Sequence, residues 1–514
     1  MFIRDRRMKI WAVVLMMGVL FTSASLVMAE NKIKLLPPGV PNPDVDFSGI
    51  TIGAIHDAGA GRILEWYAPL LEKECGVKIR RTEMVDLPKL REKAIGDLMA
   101  GKPSWELVEI TPKFIADFAL TGLIEPLDDY FAKYDQEQVK AYKEDLLPIY
   151  REFYCTWGGK WWTIPFDGDI HLFNYRISLF ENPEYKAKFK KEYGKELGPP
   201  ETWDDFVLLA KFFKEVLPKG MYSTMWWLLP PDGAAFYFDI AASYGVKYFS
   251  EDMEIPLWPQ DKAIAALAKM VETVPYCPPG VSSFGFTETV DYWLAGKVAF
   301  QDWFIDINEW GQMGTPAVKG DVANALMPGY RDPETGKVTH RAMSPYNRVW
   351  LIPKNLPQKV KEAAFYVAYH VSHRDYSLYT QSDLYCGMDP MMYSHYTDEA
   401  ALEYTKPNPL RGVAPDWPEN EPCFKTFEEA RKHLDGGLAN MAVAFPEICW
   451  PGATQYTESL SRWVQRAMSL EVTPEEAIKK AAAEWAKIRD TLGKDKQKKY
   501  YKDFVDACKR LGYW

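Results

Sequence analysis

SGITIGAIHDAGAGRILEWYAPLLEKECGVKIRRTEM, residues 48–84, decides the fold. SGITIGAI is a short β-branched run and reads as a strand. HDAGAG is a glycine-rich turn. In RILEWYAPLLEKECG, Ile63, Tyr67, Leu70 and Leu71 share one face at helical spacing, and Gly76 is a natural stop. VKIRRTEM reads as a second strand, LPKLREKAIGDLMAGK as a second amphipathic helix, and WELVEI as a third strand. This alternating order predicts a parallel sheet with helices packed on it.

Further helices are marked by their starts. Thr202 precedes WDDFVLLAKFFKEV with Asp205 three residues on, and Gln260-Asp261 precedes KAIAALAKMVE. Thr473-Pro474-Glu475-Glu476 predicts a capped helix through about Arg489. KVAFQDW and NRVWLIP are short apolar runs between them. No internal repeat or low-complexity tract interrupts the pattern, so the class is α/β with more than one lobe.

The N-terminus has a different character. Arg4, Arg6, Arg7 and Lys9 precede an apolar run from Ile10 to Phe21, and small residues close the stretch before Glu30. Residues 1–29 therefore read as a cleaved secretory signal peptide. Twelve apolar residues fall short of the about 20 that a membrane span needs. No cysteine follows the expected cut, so no thiol is offered for lipidation, and a free periplasmic protein is expected. Residues 30–48, rich in proline, read as an extended arm.

The formal charge is −10. The signal segment contributes +3, from four basic residues less Asp5, which leaves the remainder near −13. That balance argues against nucleic acid and anionic membranes as partners. The seven cysteines are widely spaced, with no CxxC and no histidine at metal-ligand spacing. An odd number leaves at least one unpaired within the chain. Neither a metal nor a cofactor is expected.

Several phrases occur in a telling order: LMAGKPSWELVEI, FALTGLIEPLDDYF, GGKWWTIPFDGDIHLFNYRISLF, FTETVDYWLAGKVAFQDW, NRVWLIPKNLPQKVKEAAFYVAYHVS and VTPEEAIKKAAAEWAKI. Taken together they resemble the family 1 extracellular solute-binding proteins, the maltose-binding-like group. The resemblance covers most of residues 50–490; the arm before residue 48 and the tail after Arg489 have no counterpart. It implies a type II periplasmic-binding-protein-like fold: two lobes, each a sheet flanked by helices, joined by a hinge that the chain crosses three times. By the same carry-over the crossings fall near 163–170, 341–347 and 385–390. Lobe 1 spans 45–165 plus 342–386, and lobe 2 spans 170–340 plus 390–514. The implied function is capture of a sugar, oligosaccharide or polyol for the permease of an ABC importer, with the protein a monomer.

On this reading the first crossing, WGGKWWTIPFDGD, turns Phe166, Asp167 and Asp169 toward the solute. A pyranose offers a C–H face that stacks on flat rings, and hydroxyls that donate to carboxylates. Trp226 and Trp227 in MWWLLPPDG, Trp303 in FQDW and Trp450 in PEICWPG are the expected stacking rings. His56 and Asp57 stand at a strand end and Tyr346 at the second crossing, where open α/β sheets bind ligands. The GAG turn at 59–61, with Arg62, leaves an anionic solute open. Clustered tryptophans beside acids leave a quaternary ammonium open. A glycosidase needs two carboxylates flanking a bond, whereas Asp167 and Asp169, two residues apart, point to one side. The chain is therefore expected not to be an enzyme.

Overall fold

Gly53 divides the first expected strand. Thr51–Ile52 pairs in parallel with Lys78–Ile79, and Ala54–His56 pairs with Glu83–Met84 and Leu107–Ile110. VKIRRTEM is thereby split between the same two sheets. At Gly53 the amide donates to Glu106 Oε2 (2.7 Å), and the Arg80 guanidinium lies where a Cβ would project. A side chain at this position would have to displace that guanidinium. The computed structural model describes residues 32–57, 62–80, 82–85, 87–101, 103–411 and 419–514. The expected signal peptide and the GAG turn lie outside the described residues.

The first lobe is built on a five-stranded sheet in the order Glu83–Met84, Ala54–His56, Leu107–Ile110, Val349–Leu351, Ile164–Pro165. The first three strands are parallel. Val349–Leu351 runs antiparallel to both of its neighbours, so the sheet is mixed. Side-chain alternation buries both faces. Ile55, Val108, Ile110, Val349 and Leu351 pack with Leu90, Phe114 and Phe118 on one side. Ala54, Leu107, Ile164 and Trp350 join Tyr67, Leu71, Phe365 and Tyr369 on the other. The latter come from helices Arg62–Cys75 and Gln358–Ser372.

The second lobe holds a three-stranded antiparallel sheet, Phe300–Phe304, His171–Arg176, Val322–Ala325, with His171–Arg176 central. Helices Trp203–Val216, Gln260–Val271 and Pro474–Thr491 form where the sequence predicts them. Thr202 and Asp205 close a reciprocal cap, and Thr473 Oγ1 accepts from the Glu476 amide at 3.1 Å.

Three segments link the lobes. The chain leaves the first sheet after Pro165 and enters the second at His171. It returns through Ser344 to Val349, and it leaves again after helix Arg374–Gln381. These segments lie side by side. Ser344 Oγ and Asn347 Nδ2 donate to the Asp169 carbonyl (2.7 and 3.2 Å), and the Asp389 amide donates to Asp167 Oδ1 (2.8 Å). The Pro390 carbonyl occupies the place of a Cβ on Gly168. Strand Ala342–Ser344 pairs in parallel with Ala444–Pro446.

The arm before residue 48 and the tail after Arg489 both pack on the body. The arm binds lobe 1: Asp135 N donates to Ile33 O (2.8 Å), Leu35 N to Gln138 Oε1 (2.9 Å) and Phe47 N to Cys75 O (2.7 Å). The tail forms helix Lys494–Leu511, which touches both lobes. Its Phe504 ring meets Phe153 at 5.2 Å and Trp450 at 5.0 Å, and Tyr501 OH donates to Phe249 O at 2.6 Å. All seven cysteines are free thiols, six of them buried. Among the described residues no helix is long and apolar enough to cross a membrane.

Phe504→Ala removes a ring that both lobes share, and is expected to cost about 3–5 kcal/mol. Urea unfolding monitored by tryptophan fluorescence should show a clear fall in the midpoint; an unchanged midpoint would mean that the tail is only draped on the surface.

Candidate functional site

The topology gathers charged side chains at one edge. Ala54–His56, Leu107–Ile110 and Ile164–Pro165 all end at the same edge of the first sheet, and the antiparallel Val349–Leu351 begins there. Asp57, Lys113, Asp167 and Arg348 follow or precede those ends. The second sheet presents His171 and Phe304, a registered pair, at its own near end, with Asp306 just beyond. Ligand sites in α/β proteins form at such strand ends.

Arg348 is the hub. Its Nε and Nη2 donate to the two oxygens of Asp57 (2.8 and 3.2 Å), the planar fork that a guanidinium makes with a carboxylate. Its Nη1 donates to Asp167 Oδ2 (2.5 Å) and Asp169 Oδ2 (3.2 Å), and Glu109 Oε1 lies 3.7 Å from Nε. The group is nearly sealed from solvent, with the Arg348 side chain 16% exposed and Asp167 not at all. Burial works to raise the pKa of Asp57, but the charge and hydrogen bonds of Arg348 outweigh it and hold that carboxyl below its usual range. The other acids go the opposite way. Burial first, then the charge of Asp57, pushes Glu109 up; burial and Asp167 push Asp169 up. Across the junction, burial and Asp167 push Asp306 up to about 8.

An aromatic stack adjoins this hub. Trp227 lies between Trp303 and Tyr346, each 5.4 Å away centre to centre, at 27° and 11°. Phe286 meets Trp227 and Trp303 at 5.7 and 5.9 Å, and Trp310 meets Phe286 edge-on. Tyr346 holds a left-handed backbone, φ 65°, which a bulky residue adopts only under constraint. Its hydroxyl donates to Asp232, and the Lys113 ammonium sits 4.9 Å above its ring. Beyond Tyr346 a small, partly open cavity of about 30 Å³ is lined by Lys113, Asp232, Tyr248, Glu447 and Trp485 among others. Burial pushes Asp232 and Glu447 each up to about 7, with Lys113 pulling against it.

Six of the residues expected from the sequence are gathered here: Asp57, Asp167, Asp169, Trp227, Trp303 and Tyr346. Four others face inward. Phe166 stacks on Trp350 at 4.4 Å within the first lobe. Trp226 donates to Thr273 Oγ1 at 2.8 Å and packs beside Phe206. Trp450 is enclosed by Tyr248, Tyr501 and Phe504. His56 spends both ring nitrogens locally, on the Asp57 carbonyl (2.9 Å) and Thr82 Oγ1 (2.8 Å). Sequence reasoning passed over Glu109, Lys113, Asp306, Arg348 and Asp389. Glu109 left a trace, as an acid inside the otherwise apolar strand LVEI. Arg348 left a weaker one, ahead of VWLI.

Asp167 and Asp169 both reach the same guanidinium nitrogen, so they stand side by side and do not flank a gap. Among the described residues one group brings metal-ligand atoms together, His171, Asp239 and Asp302, within 4.8 Å of one another. Its geometry is that of a hydrogen-bonded chain. His171 Nδ1 donates to Asp239 Oδ2 (2.7 Å), the Met343 amide donates to Asp239 Oδ1 (2.6 Å), and burial with the Asp239 charge pushes the Asp302 carboxyl up.

Residues 60–369 match the family described as bacterial extracellular solute-binding protein. Solved structures share the fold. An ABC transporter solute-binding protein from Agrobacterium radiobacter K84, in complex with ribitol, aligns with a TM-score of 0.66 at 16% identity, covering 86% of this chain and 99% of that one. Maltose-bound MalE3 from T. maritima aligns at 0.64 and 18%, covering 85% and 99%. An Agrobacterium vitis S4 solute-binding protein with bound D-mannitol aligns at 0.63 and 19%, covering 86% and 99%. No curated protein matches the chain by sequence.

Asp306 makes the site sensitive to pH. Its pKa is about 8 when folded and about 3.9 when unfolded. The folded state therefore holds the proton more tightly; the resulting stability is complete below pH about 4 and is lost as pH rises through about 8. The melting temperature should fall from pH 5 to pH 9, and Asp306→Asn should flatten that slope. Identical slopes in the two proteins would contradict this ionisation.

Proposed function

Because the chain belongs to the bacterial extracellular solute-binding protein family, we propose that it captures a sugar, oligosaccharide or polyol between its lobes and delivers it to the membrane permease of an ABC importer. One observation carries this reading: Tyr346, at the end of the Trp303–Trp227–Tyr346 stack, stands on the second crossing two residues before Arg348, around which the buried carboxylates gather. Flat rings suit the C–H face of a sugar, and carboxylates suit its hydroxyls. The contact residues on this reading are Asp57, Asp167, Asp169, Trp227, Trp303 and Tyr346, joined by Lys113, Arg348 and Asp306.

Capture proceeds by closure. The lobes rotate about the three crossings, and the solute favours the closed arrangement by as much as it binds that arrangement better. The lobes meet at the crossings, lobe 1 comprising about 45–165 and the strand and helices from Val349 to about 386. Ala342–Ser344 moves with lobe 2, its pairing partner. The chain performs no reaction; family and structural relatives are binding proteins. Export follows cleavage of residues 1–29, and the mature protein works as a periplasmic monomer.

The test is isothermal titration of the purified mature protein with neutral sugars, maltodextrins and linear polyols. Two adjacent tryptophans provide the control. Trp227→Ala should weaken binding about 30-fold, the ~2 kcal/mol of a buried aromatic anchor. Trp226→Ala should lower the melting temperature and leave affinity within a few-fold once the protein is folded. Equal effects of the two on affinity, or breakdown of an added oligosaccharide, would overturn the assignment.

A further inference from the structure

The lobe junction is lopsided in charge. One guanidinium, Arg348, faces Asp57, Glu109, Asp167 and Asp169, and Asp57 alone takes two of its hydrogen bonds. Asp306 and Glu309 approach from the second lobe and Asp389 from the third crossing. Among the described residues neither oxygen of Asp389 has a hydrogen-bond partner, and the same holds for Asp306 Oδ1 and Glu109 Oε2, while Glu309 Oε1 lies 3.1 Å from His433 Nε2. All four carboxyls are buried. Asp389 is fixed in place, because its amide is bonded to Asp167 and its chain neighbour Pro390 abuts Gly168. The charged groups acting on it are Asp306, Asp169, Asp167 and Glu309, each of which raises its pKa. Lys113 does not serve this group; its charge acts on Asp232 and Glu447. Arg411 is held by Asp383 at 3.3 Å. Asn308, buried on the helix turn between Asp306 and Glu309, also has both amide atoms unpartnered.

Unpaired carboxylates in a sealed site are costly unless each is protonated or meets a positive charge. Hydroxyls of a neutral sugar satisfy lone pairs but leave the charges in place. An ammonium brings three N–H donors and the missing charge together.

We propose that the solute is an amine-bearing polyol, an amino sugar or amino alditol. Its ammonium is held among Asp169, Asp306 and Asp389 while its carbon skeleton lies along the edge of the Trp303–Trp227–Tyr346 stack. This rests on the reading of the junction as the solute site, and it narrows that reading from neutral to cationic ligands.

Matched pairs test it by titration calorimetry on the purified mature chain: D-glucosamine against D-glucose and N-acetyl-D-glucosamine, and 1-amino-1-deoxy-D-sorbitol against D-sorbitol, with calcium chloride run alone. The amine should bind at least about 30-fold more tightly than its neutral partner in at least one pair. Asp389→Asn and Asp306→Asn should each shrink that ratio toward one. Repeating the titration in buffers of different ionisation heat should show proton release with the amine, because Asp306 keeps its proton below pH about 8 until an ammonium displaces it. A neutral member that binds as well as the amine, without proton release, overturns the inference and leaves the solute site standing. So does tight calcium binding that Asp389→Asn abolishes, since the carboxyls then hold a metal ion. If no solute of any kind binds, the underlying reading fails with it.

Discussion

Arg348 and the acids around it are the constraint on which the rest of the molecule depends. A guanidinium this deeply placed must be paired, and a carboxylate beside it must be paired too. Asp57 closes the first strand, Asp167 and Asp169 lie on the first crossing, and Arg348 stands on the second. Asp389 on the third is tied to Asp167 through its amide. The ion-pair network thus pins all three crossings to one edge of the first sheet. Sheet direction makes this possible: had Val349–Leu351 run parallel to its neighbours, Arg348 would sit at the far edge from Asp57.

The second lobe answers with a different material. Its strand Phe300–Phe304 delivers Trp303 and then Asp306, so ring and acid arrive at the junction within four residues. Tyr346 completes the stack from the hinge itself, at the expense of a strained backbone. The combination suits a solute with an apolar face and a polar rim. The additional chain supports this frame from outside, the arm against lobe 1 and the C-terminal helix across both lobes.

Much of the fold was legible because periodicity and caps are local. The helices after Thr202, Pro259 and Thr473 stand where their sequences predict them. The break at Gly53 was not legible, since a glycine within a strand reads equally as a weak point or a partner switch. The site was half legible. Trp226 and Trp227 are neighbours, yet one fills the core and the other joins the stack; composition cannot say which way each points. Trp450 looked like a stacking ring until the C-terminal helix, whose docking has no signal near PEICWPG, enclosed it. Arg348 was hidden for a related reason. Its meaning lies in partners 181 and 291 residues distant along the chain, which only the folded sheet brings together.

The most direct test of the account is a crystal structure of the mature protein with the tightest-binding solute from the titrations. The account predicts the solute between the lobes, its carbon face against Trp227 or Trp303 and a polar group within hydrogen-bonding distance of Asp306 or Asp389. A solute bound elsewhere, with the Arg348 hub and the stack untouched, would contradict it.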